Sequence, residues 1–214
     1  MWLGVMGALF FSVGSFAALL FEYIDRLFGT GAIVGYDPFS GALRFAIASL
    51  LVIFPVYVAL TRLLNQDIRK NPEKKQLWVR RWAIFLTVFA AGIGLVVDLI
   101  VLIHKFLGGD ELTASFLLKV LVIFLLLGGV FYYYLQDIKG RWEHNEKLSK
   151  QIGYAVVILV VVSIIGGFFI MGSPQTQRKL RQDRERIEGL TSLQFQITDY
   201  YRDKQELPET LDEL

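Results

Sequence analysis

No cysteine occurs in these 214 residues. That excludes disulfide frameworks, thiol nucleophiles and thiolate metal sites, and leaves the redox compartment unreadable. Histidine is scarce as well: His104 and His144 are the only two. They fall on opposite membrane sides in the topology derived below, so a shared metal is not expected and each reads as an interfacial residue. Also missing are a phosphate-binding glycine loop, a His-Glu-x-x-His pair and a Gly-x-Ser-x-Gly elbow. The sequence therefore offers no catalytic, cofactor or metal residue, and a non-enzymatic protein without cofactors is expected. The net charge of +2 decides nothing by itself. Its distribution is explained by membrane topology, and no nucleic-acid partner is expected.

What the chain has in excess is apolar length. Five runs of 20 or more residues carry at most two charges each: Trp2–Ile24, Leu43–Leu64, Trp82–Ile103, Leu112–Leu135 and Ile152–Met171. About 20 apolar residues at ~1.5 Å each cross a hydrocarbon layer of ~30 Å, so each run is long enough to span it. The fold class that follows is an all-α integral membrane protein with five transmembrane helices, organised as a membrane domain over 1–171 and a tail over 172–214. The first run has no preceding Lys or Arg and continues past Ser15-Phe16-Ala17, which argues for a retained span rather than a cleaved leader. Gly4, Ala8 and Ser12, with Gly14 and Ala18, form a small-residue stripe expected to be a packing face, and Ser163 with Gly167 forms another. Pro55 should kink the second span, because it leaves the Leu51 carbonyl without its usual donor.

Basic residues orient the bundle. Segment 65–81 holds six Lys or Arg and segment 136–151 holds four, against two across segments 25–42 and 104–111. This asymmetry predicts a cytoplasmic N-terminus, two cytoplasmic basic loops and an extracytoplasmic tail in a cell membrane. Arg178, Lys179, Arg181, Arg184 and Arg186 follow the fifth span and weaken the contrast to ten against seven. Trp78, Trp82, Trp142 and Tyr132–Tyr134 lie near the predicted inner boundary, where amphipathic rings prefer to sit. Glu143 with Lys147 and Glu146 with Lys150 have the favourable i,i+4 spacing, so the fourth helix is expected to continue into the cytoplasm.

Charges inside the runs are the candidate site. Asp98 and Lys119 lie at matching distances from the turn between the third and fourth spans and are expected to pair; Asp98 is too short to snorkel. Glu22 and Arg44 stand in the same relation across the first hairpin and are expected to form a shallower pair. Such pairs either orient the hairpins or serve transport. Gln66-Asp67-Ile68-Arg69 and Gln136-Asp137-Ile138-Lys139 recur 70 residues apart, each after an even-numbered span. The chain thus reads as two related hairpins plus a fifth helix and tail.

In the tail, Ile187, Leu190, Leu193, Ile197 and Tyr201 recur at spacings of three and four, the signature of one apolar face of an amphipathic helix outside the membrane. Leu207-Pro208 should end that helix, and Leu211 and Leu214 extend the apolar pattern. Besides the lipid bilayer, the partners expected are a second copy of the chain or an envelope protein, engaged through this face.

Two resemblances complete the reading. Phe21-Glu22-Tyr23-Ile24, Phe54-Pro55-Val56, Arg80-Arg81-Trp82, Gly94-Leu95-Val96-Val97-Asp98-Leu99-Ile100 and Phe116-Leu117-Leu118-Lys119-Val120-Leu121 resemble an uncharacterised bacterial family of polytopic membrane proteins, domain-of-unknown-function family 5671. That family lends no site residues. The tail, through Asp183, Arg186, Leu190, Leu193, Gln194, Ile197, Tyr200, Tyr201 and Leu207-Pro208-Glu209-Thr210-Leu211, is similar to the post-membrane helix of type II secretion pseudopilins, without their N-terminal processing motif or globular head. The function expected is a non-catalytic membrane module that self-associates or docks through its tail. The alternative is a small transporter or channel using Asp98 and Lys119.

Overall fold

A computed structural model describes residues 1–28, 41–70, 78–109, 111–171, 174–206, 208 and 210. The glycine-rich segment 29–40, most of the first basic loop (71–77), and Leu207, Leu211 and Leu214 lie outside the described residues. The described chain is all helix and turn: α1 Trp2–Phe28, α2 Gly41–Lys70, α3 Trp78–Leu107, α4 Ala114–Ile138, α5 Arg141–His144, α6 Glu146–Met171 and α7 Pro174–Lys204. Five of these, α1, α2, α3, α4 and α6, are long and apolar enough to cross a membrane, so the chain is a multi-pass membrane protein. They run 25 to 30 residues, longer than the apolar runs, because each helix continues beyond the hydrocarbon into polar residues. The chain divides into two units, Met1–Gly167 and Phe168–Leu214.

Within the first unit, α1 and α2 form one antiparallel hairpin and α3 and α4 another, and α1 also packs against α4 and α3. The α2 residues that point inward are Leu43, Ala46, Ile47, Leu50 and Phe54, the i, i+3, i+4, i+7, i+11 row of one helical face. They meet a face of α1 made of Val5, Leu9, Ser12, Phe16 and Leu19, all buried. The small-residue stripe expected to pack is therefore only partly correct: Ser12 is buried, but Gly4 and Gly14 are exposed. Here the seam is filled by larger side chains, whose dispersion contacts hold helices together where lipid removes the hydrophobic drive. The α2 helix continues through Pro55 without a break in its helical assignment.

The second small pair does pack. A Cβ on Gly167 would lie 2.7 Å from Ile47 Cδ1 and 3.0 Å from the Tyr23 hydroxyl, so a larger residue there would require the ends of both side chains to move. One turn earlier the Tyr23 hydroxyl donates to the Ser163 carbonyl.

The connection from α4 to α6 differs from the expectation. Rather than extending through 143–150, α4 stops at Ile138, and Gly140 takes φ +68°, the left-handed region glycine enters without penalty. The single turn α5 and then α6 take up the polar residues. Trp142 stacks on Tyr133 with ring centroids 5.2 Å apart and donates Nε1–H to the Tyr133 carbonyl at 2.9 Å. The Tyr133 hydroxyl lies 3.1 Å from Ser149 Oγ.

The second unit is built on α7. Pro174 opens it, where the missing N–H costs nothing, and Gln205 at φ +58° closes it. Twelve of its 31 residues are charged. Asp183–Arg186 at 3.6 Å and Asp199–Arg202 at 3.2 Å are i,i+3 ion pairs on its surface.

Candidate functional site

Lys119 lies in the second turn of α4, whose start is capped by the Thr113 hydroxyl accepting from the Phe116 amide. Its ammonium does not reach Asp98. It sits 2.6 and 2.7 Å from the two carboxylate oxygens of Asp25, in the last turn of α1. Ser115, one turn before Lys119 on the same face of α4, donates to Asp25 Oδ1 at 3.0 Å. The Phe21 ring lies 5.7 Å from the ammonium, close enough for a cation–π attraction. Asp25 would otherwise be unfavourable at the negative end of the α1 dipole, and Lys119 offsets it.

The expected Asp98–Lys119 pair is thus corrected, and the reason is register. Gly92 packs on Phe131, Gly94 faces Leu127 and Lys105 lies over the Phe116 ring. These contacts set Lys119 level with about residue 103, so Asp98 lies roughly 7 Å away along the axis at ~1.5 Å per residue. The sequence estimate ended the third helix at Ile103, whereas α3 runs to Leu107. Those four residues move the turn and break the symmetry on which the pairing rested.

Asp98 occupies the inner face of α3 with Ile84, Thr87 and Ala91, and is only 6% exposed. Thr87 satisfies its hydroxyl by donating to the Ala83 carbonyl of its own helix at 2.9 Å. An aspartate in mid-helix has no such recourse, because the backbone N–H groups around it are already used. Among the described residues, Asp98 Oδ2 is buried without a hydrogen-bond partner.

The Glu22–Arg44 pair is corrected as well. Glu22 is half-buried and Arg44 exposed, and no bond joins them among the described residues. Asp25, three residues beyond Glu22, takes the role assigned to it. Sequence reasoning placed Asp25 in a loop by ending the first span at Ile24. The resumption of apolar residues at Leu27-Phe28 was the signal that the helix goes on.

At the opposite end of the bundle, Arg80 of α3 lies 3.4 Å from Asp137, the acid of the second Gln-Asp-Ile element, and 5.9 Å from the Trp2 ring. Asp137 stands at the end of α4, where a helix dipole disfavours an acid, so the arginine again neutralises a misplaced carboxylate. In this way α1 is pinned to the second hairpin at both ends, by Trp2–Arg80 and by Asp25–Lys119. The neighbouring Arg81 is exposed.

Two shallow grooves open on the apolar surface. One, of about 620 Å³, is lined by Phe85, Phe89, Gly92, Ile93 and Val96 of α3 with Phe131 of α4. A second, of about 250 Å³, is lined by Leu3 with Trp78, Trp82, Ala83 and Leu86. Among the described residues no three or more His, Asp or Glu lie close enough together to hold a metal ion.

The tail face is distributed unevenly. Ile187, Leu190 and Tyr201 are exposed, at 62, 66 and 49%, while Leu193 and Ile197 are half-buried.

Residues 2–134, which span α1 through nearly all of α4 and hold Asp25, Asp98 and Lys119, match the family described as Domain of unknown function (DUF5671). The chain belongs to this family. The match covers both hairpins and ends at Tyr134, so α5, α6 and α7 lie beyond the part that defines the DUF5671 domain. No curated protein and no solved structure matches the chain, and the tail's similarity to pseudopilin helices has no support beyond its own residues.

Proposed function

We propose that this protein is a non-catalytic membrane module whose five-span bundle carries α7 as a docking helix for a second copy of the chain or an envelope partner. The observation that carries this reading is the exposed apolar stripe of Ile187, Leu190 and Tyr201 on a helix too charged to enter lipid. We read the exposed apolar side chains on the spans as facing the bilayer and those on α7 as left for a partner, since exposed apolar groups on an otherwise charged helix mark an interaction surface. The intramembrane charges support the same reading, because Lys119 is paired with Asp25 and Asp98 is only 6% exposed. The basic segments favour a cytoplasmic N-terminus with α7 on the outer face of the membrane.

The test uses the full chain in lipid nanodiscs and in detergent, comparing the native protein with Leu190→Glu/Ile197→Glu by light scattering and by in-membrane cross-linking. The native chain should assemble with itself or retain an envelope protein, and the double variant should lose at least tenfold in that association. An unchanged assembly in the variant would refute the docking role. The transport reading rests on one observation, the unpartnered Oδ2 of Asp98, which is the kind of group that marks ion pathways in membrane proteins. Proton or cation flux in proteoliposomes that disappears in Asp98→Asn would support it over the docking role.

A further inference from the structure

We infer that the seam between α3 and α4 holds one anionic phospholipid, its headgroup at Arg81 and one acyl chain running down the groove past the notch at Gly92. Arg81, Phe85, Val88 and Gly92 follow the i, i+4, i+7, i+11 row of a single helical face, and the last three line the larger groove. The row is eleven residues long, about 16 Å at ~1.5 Å per residue, which is one leaflet of a ~30 Å hydrocarbon layer. The groove lining itself begins one turn below Arg81, at Phe85, and continues past Gly92 to Val97, about 18 Å at ~1.5 Å per residue, long enough to hold one acyl chain. Gly92 forms part of its floor: a Cβ there would rest in ordinary contact with the Phe131 ring, at 3.5 Å, and a longer side chain would extend into the groove.

Charge selects the headgroup. The two adjacent arginines have opposite fates, with Arg80 turned to Asp137 and Trp2 and Arg81 left exposed on the row above the groove. A helical side chain leans toward its own N-terminus, so Arg81 at the start of α3 extends away from the hydrocarbon to phosphate level. Lys139, also exposed, ends α4 at the same end of the hairpin. Two cations favour a headgroup with net negative charge and disfavour one that carries its own trimethylammonium. Trp78 and Trp82, with rings 5.6 Å apart, flank this level and fix its depth.

The experiment is native mass spectrometry of the full chain released from an equimolar mixture of phosphatidylglycerol and phosphatidylcholine. One bound lipid per chain is expected, with phosphatidylglycerol preferred by about fivefold or more, the factor one membrane-surface base contributes. Arg81→Gln, an exposed substitution, should lower that preference about fivefold while leaving a lipid bound. Gly92→Leu fills the notch and should remove the retained lipid of either kind; Ile93→Trp, which narrows the groove from its lipid-facing side, is the second variant should Gly92→Leu not fold. Equal retention of the two lipids by the native chain, or an unchanged preference in Arg81→Gln, overturns the headgroup assignment. Full retention in the groove-filling variants overturns the acyl-chain assignment.

Discussion

Exchanging Lys119 for methionine removes the cation that closes α4 onto α1 while keeping the length of the side chain. Its ammonium lies 2.6 and 2.7 Å from the carboxylate oxygens of Asp25, and the two side chains are 30% and 36% exposed. A fully exposed pair contributes ~0.2–1 kcal/mol, and breaking a buried one costs ~3–5 kcal/mol. One-third exposure puts Lys119→Met between these limits, at about 2 kcal/mol of destabilisation. Asp25→Asn should cost less, about 1 kcal/mol, because the freed ammonium can snorkel to water and the amide still accepts from Ser115. In the double variant neither charge is stranded, and its cost should fall about 1 kcal/mol short of the sum of the singles. Equilibrium unfolding in mixed micelles, followed by tryptophan fluorescence, measures all four corners of the cycle. The companion cycle of Asp98→Asn with Lys119→Met should be additive to within ~0.5 kcal/mol, as expected for groups roughly 7 Å or more apart. Coupling in the second cycle and none in the first would refute the register assigned to the hairpin.

Asp98→Leu should stabilise the protein by about 1–3 kcal/mol, since it replaces an unpartnered buried acceptor with a group that needs no partner; the same unfolding assay reads it, and a loss of stability would show that Asp98 is satisfied in the membrane. Gly167→Val should cost about 1–3 kcal/mol by forcing α6 away from Ile47 and Tyr23, and limited proteolysis should then release α6, whereas Gly153→Val, facing open space, should leave the digestion pattern unchanged. Arg80→Leu should destabilise by about 2 kcal/mol or more through the loss of Asp137 and Trp2, while Arg81→Leu, with no inward contact to lose, should change thermal stability little.

The five spans were legible in the sequence because run length is a direct consequence of bilayer thickness. Helix ends were not, since nothing in an apolar count says how far a helix continues into polar residues. That gap of about four residues at Ile103–Leu107 and again at Ile24–Phe28 is what misassigned both ion pairs. The identities of the charged residues were readable, but their partners depended on inter-helix register, which the sequence carries only through the sizes of side chains at the seams. Gly92 against Phe131 and Gly94 against Leu127 are such markers, visible only once the two helices are placed together. The stripe on α1 misled for a related reason. Small residues permit close approach but do not compel it, and the neighbouring row of Val5, Leu9, Phe16 and Leu19 offered more contact area. At Ser163 and Gly167 the same pattern pointed to a real docking point, because Tyr23 and Ile47 there fill the space the small residues leave.

The fifth span has a consequence of parity. Two hairpins alone return the chain to the side of the membrane from which it started. One additional crossing by α6, fastened through Ser149 to Tyr133, through Ser163 to Tyr23 and through Gly167 to Ile47, makes the number odd. The proposed placement of α7 on the outer face rests on this odd count, with each of the five candidate spans crossing once. On that proposal α6 is a conveyor: it would turn a bundle that opens and closes on one surface into one that presents a helix on the other.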